Sequence, residues 1–365
     1  MPEFDLARQA ARNIVIELYK DSRVLDNPKK LSSRSGHSES LVEEAIQNVR
    51  SSENDIVDHT IVVDPRYVGY SFPSYMFVES EDSLSDAIAA GDDDFAQPWK
   101  ALMLGTTLGQ YDLIHRRVDQ DRYANARFTV RAKNGPNLNF FENQETYPIF
   151  EIRRWHGQDR DESLRSKPAD LGSLELEVLR RLMQDSTRSD HEISEAIKAG
   201  IKQGHTDTLV EDLNRIGTEN VGDARQSLLD NDVLLGYSVD YDLEDMGWNR
   251  AVMGISLKPG YSDEGHDAAV EKLMSFDDDM GKGVDAPLNN FTLPYITSGL
   301  GQSWADLMLE IIVSDTSDIN KIASRIREEI ESVESTRTHL MTKSLMDDSI
   351  TVDNWHQIAS NNHQH

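Results

Sequence analysis

Apolar residues along this chain recur first with a helical period and then in strand-like runs, and the sequence passes through that change twice. Ala10, Ile14 and Leu18, and later Leu174, Val178 and Leu182, fall four residues apart and define one apolar helix face in each half. Short helices are expected next over 27–34 and 190–199, followed by a turn holding Gly36 or Gly204. Ser40-x-x-Glu43 and Thr208-x-x-Glu211 then have the spacing of a capping box, which opens a helix by satisfying its free N–H groups. Leu41, Ala45, Ile46 and Val49, and Leu209, Leu213 and Ile216, lie on one face of that helix. Three short helices with a glycine turn before the last describe a helix-turn-helix. The sequence then becomes strand-like, rich in β-branched and aromatic residues, with strands over 56–63, 70–78, 101–107, 112–118 and 147–154, and over 233–241, 251–257, 290–297, 307–313 and 336–344. Helices are expected at 83–90 and 123–133, and at 268–275 and 315–333, which gives the order of a ferredoxin-like βαββαβ unit.

Residue identities repeat along with the pattern. Gly36-His-Ser-Glu-Ser-Leu-Val-Glu-Glu44 returns as Gly204-His-Thr-Asp-Thr-Leu-Val-Glu-Asp212. Asp64-Pro-Arg-Tyr-Val-Gly-Tyr70 is answered by Asp242-Leu-Glu-Asp-Met-Gly-Trp248, and Leu108-Gly-Gln-Tyr-Asp-Leu113 by Leu300-Gly-Gln-Ser-Trp-Ala-Asp-Leu307. Landmarks in one order, separated by insertions, point to a duplicated unit. The expected class is α+β: two tandem units, each a winged helix-turn-helix followed by a ferredoxin-like βαββαβ domain. The boundaries are 1–55 for the first helix-turn-helix, 56–155 for the first ferredoxin-like domain and 156–172 for a linker; 173–232 holds the second helix-turn-helix with an inserted helix, 233–345 the second ferredoxin-like domain and 346–365 a tail. The insert Gly217–Asp232 leaves two candidates for the second recognition helix, 206–216 and the insert itself.

Charge changes the picture. Asp and Glu number 65 against 37 Lys and Arg, a net charge of −28, with the acid spread through every segment and arginine favoured over lysine. That pattern resembles a halophilic archaeal protein with a carboxylate-hydrated surface. Cysteine is absent, which excludes disulfides, thiolate metal sites and a thiol nucleophile. No run is apolar enough to span a membrane and no leader pattern opens the chain, so a cytoplasmic protein without membrane contact is expected.

Gln184-Asp-Ser-Thr-Arg-Ser-Asp-His-Glu-Ile-Ser-Glu-Ala-Ile197, the strand Val233-Leu-Leu-Gly-Tyr-Ser-Val-Asp240, Lys258-Pro-Gly260 and the turn Thr106-Thr-Leu-Gly-Gln-Tyr-Asp112 together resemble the Lrp/AsnC, or feast/famine, family of transcription regulators. The resemblance implies double-stranded DNA as a partner, self-association through the ferredoxin-like sheets, and a small effector such as an amino acid. The DNA-contact candidates are Lys29, Lys30, Arg34, Ser38, Ser40, Gln47, Asn48 and Arg50 in the first unit, and Lys198, Lys202, Thr206, Thr208, Asn214 and Arg215 in the second. Glu39, Glu43, Glu44, Asp207, Glu211 and Asp212 share those helices and repel phosphate. The effector candidates are Thr106, Thr107, Gly109 and Asp112 in the first turn, and Thr297, Gly299, Gly301 and Asp306 in the second.

His37 and His205 recur, but a turn residue packed between helices is the expected role. The basic stretch Arg116–Lys133 reads as a solvated helix face, and the acidic runs Asp92–Asp94 and Asp277–Asp279 read as loops. No phosphate loop, nucleophile elbow or zinc signature occurs, so the expectation is a non-enzyme without cofactor or metal. The leading reading is a tandem regulator whose two units form a pseudo-dimer. The alternatives are an effector-sensing or interaction module that has lost DNA contact and, by analogy of build, a haem-precursor decarboxylase using His115, Arg116 and Arg117.

Overall fold

A computed structural model of the protein describes residues 13–14, 17–18, 21–25, 27–51, 58–64, 67, 72–80, 101–108, 110–119, 121–127, 141–155, 158–159, 171–202, 216–240, 247–280, 291–299 and 304–347. The expected helix at 83–90, residues 348–365 of the tail, Gly109, Gly301, and Gly204 with the segment after it to Arg215 lie outside the described residues; the first two tail residues, Met346 and Asp347, belong to the last strand.

The first helical head contains α1 (Pro28–Ser35) and α2 (Glu39–Ser51). Asn27 caps α1 by accepting the Lys30 N–H at 3.0 Å, and Pro28 fills the first helical position, where no N–H is needed. The helix ends at Gly36, whose φ of 71° is a left-handed conformation that glycine adopts without a Cβ penalty. Leu31, Val42, Ala45 and Ile46 form its inner face. The second head contains α3 (Ser173–Gln184), α4 (Asp190–Lys202) and α5 (Thr218–Asp230). The insert forms α5, which packs on both α3 and α4 through Val221, Ala224 and Leu228. It leads into strand β7 as α2 leads into β1.

β1 (Asp58–Val63) and β7 (Leu234–Asp240) pair antiparallel into a two-stranded sheet, with Thr60 opposite Ser238. The heads cross over it. α3 of the second head packs on β1, and the 3-10 turn Ser22–Val24 of the first head packs on β7.

The remaining strands form one nine-stranded sheet. They are β2 (Phe72–Ser80), β3 (Ala101–Leu108), β4 (Leu113–Asp119), β5 (Phe141–Trp155), β6 (Gln158–Asp159), β8 (Asn249–Leu257), β9 (Phe291–Gly299), β10 (Leu307–Val313) and β11 (Val333–Asp347). In the first half the neighbours run β5-β2-β4-β3, and in the second β11-β8-β10-β9, which is one order used twice. The two 15-residue strands join the halves. β5 pairs with β2 as far as Pro148 and with β9 from Ile149, while β11 pairs with β8 as far as Leu340 and with β3 from there on. The sheet therefore closes on itself, and among the described strands the closure leaves no free edge in the ring.

Strand alternation sorts side chains between two cores. Leu307, Leu309, Ile311 and Val313 of β10 join Ala251, Met253, Ile255 and Leu257 of β8 beneath α6 (Asp263–Met280) and α7 (Ser317–Glu329). Met308, Val252, Tyr295, Tyr75, Phe77, Tyr147 and Met341 belong to the interior core.

The structure corrects three sequence expectations. The linker contains β6, two residues that fold back on the end of β5, with Arg154 opposite Asp159. Asp277–Asp279 lie in the last turns of α6, not in a loop. Arg116 and Arg117 are not on a solvated helix face but in β4, wholly buried, because carboxylates from within the fold pair with both. Among the described residues no helix is long and apolar enough to cross a membrane.

Candidate functional site

The helix-turn-helix candidates of the first head reach the surface unevenly. Lys29, Ser38, Ser40 and Gln47 are exposed, with the Ser38 and Ser40 hydroxyls 3.3 Å apart. Lys30 and Arg34 turn back to Asp21, at 3.8 and 3.6 Å, where Arg23 also sits at 2.9 Å. Asp21 is 8% exposed, while Arg23, Lys30 and Arg34 themselves remain exposed around it. Glu39, Glu43 and Glu44 are exposed on α2. In the second head Lys198 pairs with Glu195 at 2.9 Å and Lys202 is exposed. Thr206, Thr208, Asn214 and Arg215 lie outside the described residues, as do the side chains of Asn48 and Arg50. The exposed residues of α5 include Glu219, Asp223 and Asp230. His37 takes the structural role: Asn13 Nδ2 lies 3.0 Å from its Nε2, and burial lowers its pKa.

The two Leu-Gly-Gln turns are built by the same hydrogen bonds. Thr107 N donates to Asp112 O at 2.9 Å and Asp112 N to Val78 O at 2.8 Å; Gly299 N donates to Asp306 O at 2.9 Å and Asp306 N to Ile255 O at 2.8 Å. The side chains differ. Thr107 Oγ1 donates to Tyr111 O, and Thr297 Oγ1 to Met308 O at 3.4 Å. The Asp306 carboxylate accepts the Leu257 N–H at 2.7 Å and the Tyr261 hydroxyl at 3.3 Å, so it acts as a turn brace instead of waiting for an amine. Asp112 is exposed. Gly299 is required by packing, since a Cβ there would stand 2.5 Å from the Tyr147 ring.

Beside these turns, inside the closed sheet, lies a cluster that the sequence pattern did not single out. His339 of β11, 2% exposed, is ringed by Phe77, Tyr111 and Trp304, with ring centroids 5.4, 5.4 and 5.7 Å away. Neither of its ring nitrogens, nor the Trp304 indole N–H, has a hydrogen-bond partner among the described residues. Burial, with Arg337 adding to it, lowers the His339 pKa to about 4, so the ring is neutral near pH 7. Arg337 is exposed and lies over the Trp304 ring, 4.7 Å from its centroid. The Tyr111 hydroxyl donates to Glu145, and its pKa is raised to about 12 by burial and by that bond. Leu108, opposite Leu340 in the β3–β11 pairing, is 63% exposed on the other face of the sheet from His339. The group is an aromatic wall with one buried imidazole, one guanidinium at its mouth and one phenol held by a carboxylate. The sequence signal for it was weak: Tyr111 and Trp304 sit in the repeated turns, but His339 lies in an unremarkable strand.

Deeper in the interior, Arg116 pairs with Glu310, whose Oε1 also accepts the Tyr75 hydroxyl at 2.8 Å. Arg116 Nη2 donates to Tyr295 at 2.9 Å. Burial, and then the Glu310 charge, push the Tyr75 pKa well up. Arg117 clasps Asp119 with two bonds, at 2.7 and 2.6 Å. His115 is 2% exposed, and burial holds its pKa well below the ordinary value. His115, Arg116 and Arg117 are thus enclosed framework residues, each 2% exposed or less.

A mixed helix-and-sheet chain of the AsnC-like fold is the class these features define. No family model matches the sequence, and no curated protein matches it. Among solved structures, siroheme decarboxylase NirDL is similar over 98% of this chain and 100% of its own, with a TM-score of 0.52 and 13% identity. The same enzyme in co-complex with an iron-uroporphyrin III analogue is similar over 92% of each chain, with a TM-score of 0.50 and 12% identity. E. coli AsnC matches 49% of this chain and 96% of its own, with a TM-score of 0.33 and 13% identity. The full-length similarity to a decarboxylase corrects the expectation of a non-enzyme: the fold shared across the whole chain is one on which an enzyme is built.

Proposed function

We propose that this protein is a single-chain pseudo-dimer of the AsnC-like fold that acts as a decarboxylase on an acidic tetrapyrrole. Its two halves are copies of one unit, and their strands pair with each other within the one chain. The observation that carries the reading is His339: a buried imidazole without a hydrogen-bond partner among the described residues, beside an exposed Arg337 and an aromatic rim. The full-length likeness to a siroheme decarboxylase supports the substrate class. A flat, carboxylate-bearing macrocycle suits Trp304 and Tyr111 with its face, and Arg337 with a carboxylate. Decarboxylation breaks the bond between the carboxyl carbon and its substituent, releases carbon dioxide, and needs a proton delivered to the carbon left behind. A carboxylate anion bound at Arg337 would raise the pKa of His339 from about 4, because an adjacent negative charge favours the imidazolium. His339 would then be the proton donor, and Arg337 the anchor.

The test is anaerobic incubation of the full chain with siroheme, followed by mass spectrometry and the porphyrin absorption band. The expected result is loss of carbon dioxide by the wild type and none by His339→Phe, with Arg337→Gln weakening substrate binding. No change in the wild-type band and no product would defeat the reading.

A second reading, regulation through DNA, is favoured by the exposed Lys29, Ser38, Ser40 and Gln47 about the α1–α2 turn. Opposing it are the exposed carboxylates of α2 and α5 and the retention of Lys30 and Arg34 by Asp21. Enrichment of particular genomic fragments on the immobilised protein, lost in Lys29→Gln/Gln47→Ala, would establish it; fragments retained no better than random would dismiss it.

A further inference from the structure

The two helical heads and the β1–β7 sheet line an open cavity of about 430 Å³. Ser22, Arg23 and Leu25 line it from the first head, Ser186, Thr187, Arg225 and Leu229 from the second, and His59 and Tyr237 from the two strands. Two arginines converge on one tyrosine there. The Arg23 guanidinium lies over the Tyr237 ring, 5.1 Å from its centroid, and Arg225 Nη1 donates to the Tyr237 hydroxyl at 3.2 Å. Arg225 is braced from behind: its Nη2 donates to Arg188 O at 2.7 Å, and its Nε lies 2.8 Å from Asp190. Arg23 is fixed through Nε to Asp21, with its side chain still 56% exposed. These bonds leave further N–H groups on each guanidinium, since every terminal nitrogen carries two. In a chain of net charge −28, the cavity lining carries two arginines, serine and threonine hydroxyls and no carboxylate, the balancing Asp21 and Asp190 standing behind the guanidiniums. Leu25, Leu229 and the Tyr237 ring make the remainder of the wall apolar.

We infer that this cavity binds a small organic anion, with a single carboxylate or phosphate held between Arg23 and Arg225 and an apolar body against Leu25, Leu229 and Tyr237. The site takes groups from both halves and from the strands that join them, so an occupant fixes one head relative to the other. It is separate from the His339 cluster and does not rest on the decarboxylase reading.

Calorimetric titration of the full chain with benzoate, phenyl phosphate and inorganic phosphate tests it. One of the two ring-bearing anions is expected to bind saturably at one site, and to slow hydrogen exchange in 58–63 and 234–240. Arg23→Gln, an exposed position, weakens that binding at least tenfold, and Leu229→Trp, which fills the cavity, abolishes it. Arg337→Gln leaves it unchanged, although it damages the other site. Three outcomes overturn the inference: no saturable binding of either ring-bearing anion, wild-type affinity in both cavity variants, or inorganic phosphate binding as tightly as phenyl phosphate.

Discussion

Arg116 and Glu310 hold the same place in equivalent strands, the fourth residue of β4 and of β10, and they pair with each other across the interior of the closed sheet. Glu145 and Arg337 stand in a comparable relation: Glu145 lies opposite Phe77 on β2, and Arg337 opposite Gly254 on β8. Two identical units would set like charges against each other at the Arg116–Glu310 position. Opposite charges make each half complementary to the other and not to itself.

Removing one member of the interior pair should cost far more than removing both. Arg116→Met or Glu310→Met alone leaves an uncompensated buried charge and is expected to destabilise by about 3–5 kcal/mol. The double variant is expected to recover most of that loss. Urea unfolding of the three variants measures it, and equal loss in singles and double would show that the pair has no mutual dependence.

Gly254 is fixed by Trp304. A Cβ at Gly254 would lie 2.1 Å from the indole ring and 2.9 Å from Ala305 Cβ. Gly254→Ala should therefore lower stability by about 1–3 kcal/mol through overpacking. The Trp304→Ala background should absorb most of the effect, as read by thermal melts.

Stability should fall as pH drops from about 6.5 towards 4. The folded pKa of His339 is lowered to about 4 from 6.5, so in that window the unfolded chain binds a proton that the folded one refuses. A shift of that size is worth roughly 3 kcal/mol, present in full above pH 6.5 and lost as the pH nears 4. His115 acts in the same direction. Denaturant midpoints between pH 7 and 5, before most carboxylates titrate, should slope less in His339→Phe than in the wild type.

Salt should stabilise the fold. A net charge of −28 repels itself at low ionic strength, and 1 M salt shortens the screening length to about 3 Å. The melting temperature is expected to rise steadily with KCl between 0.1 and about 2 M. A flat profile would show that surface repulsion contributes little.

Most strand and helix positions were legible because they depend on local period. The short apolar, β-branched runs of β8 and β10 and the cap at Asn27 with Gly36 after it are properties of short segments. Side-chain duties were not legible in the same way. The run Arg116–Arg117 reads as surface from its charge, yet both residues are buried: Asp119 meets Arg117 from two residues along the same strand face, and Glu310 meets Arg116 from a strand that periodicity cannot pair with it. The Asp306 carboxylate reads as ligand-ready in its turn, and instead braces the Leu257 N–H. His339 has no motif about it, and became a candidate only when β2, the two turns and β11 met.

The sequence by itself determined the kinds of element, their order, the absence of thiol chemistry and the heavy negative charge, since these follow from local pattern and composition. Only the tertiary structure decided which charges are buried together, that the sheets close into one ring, and that arginines from both heads share a cavity. Those outcomes depend on distances between residues far apart in the chain, and a buried charge is tolerated only where a partner from elsewhere arrives to offset its desolvation.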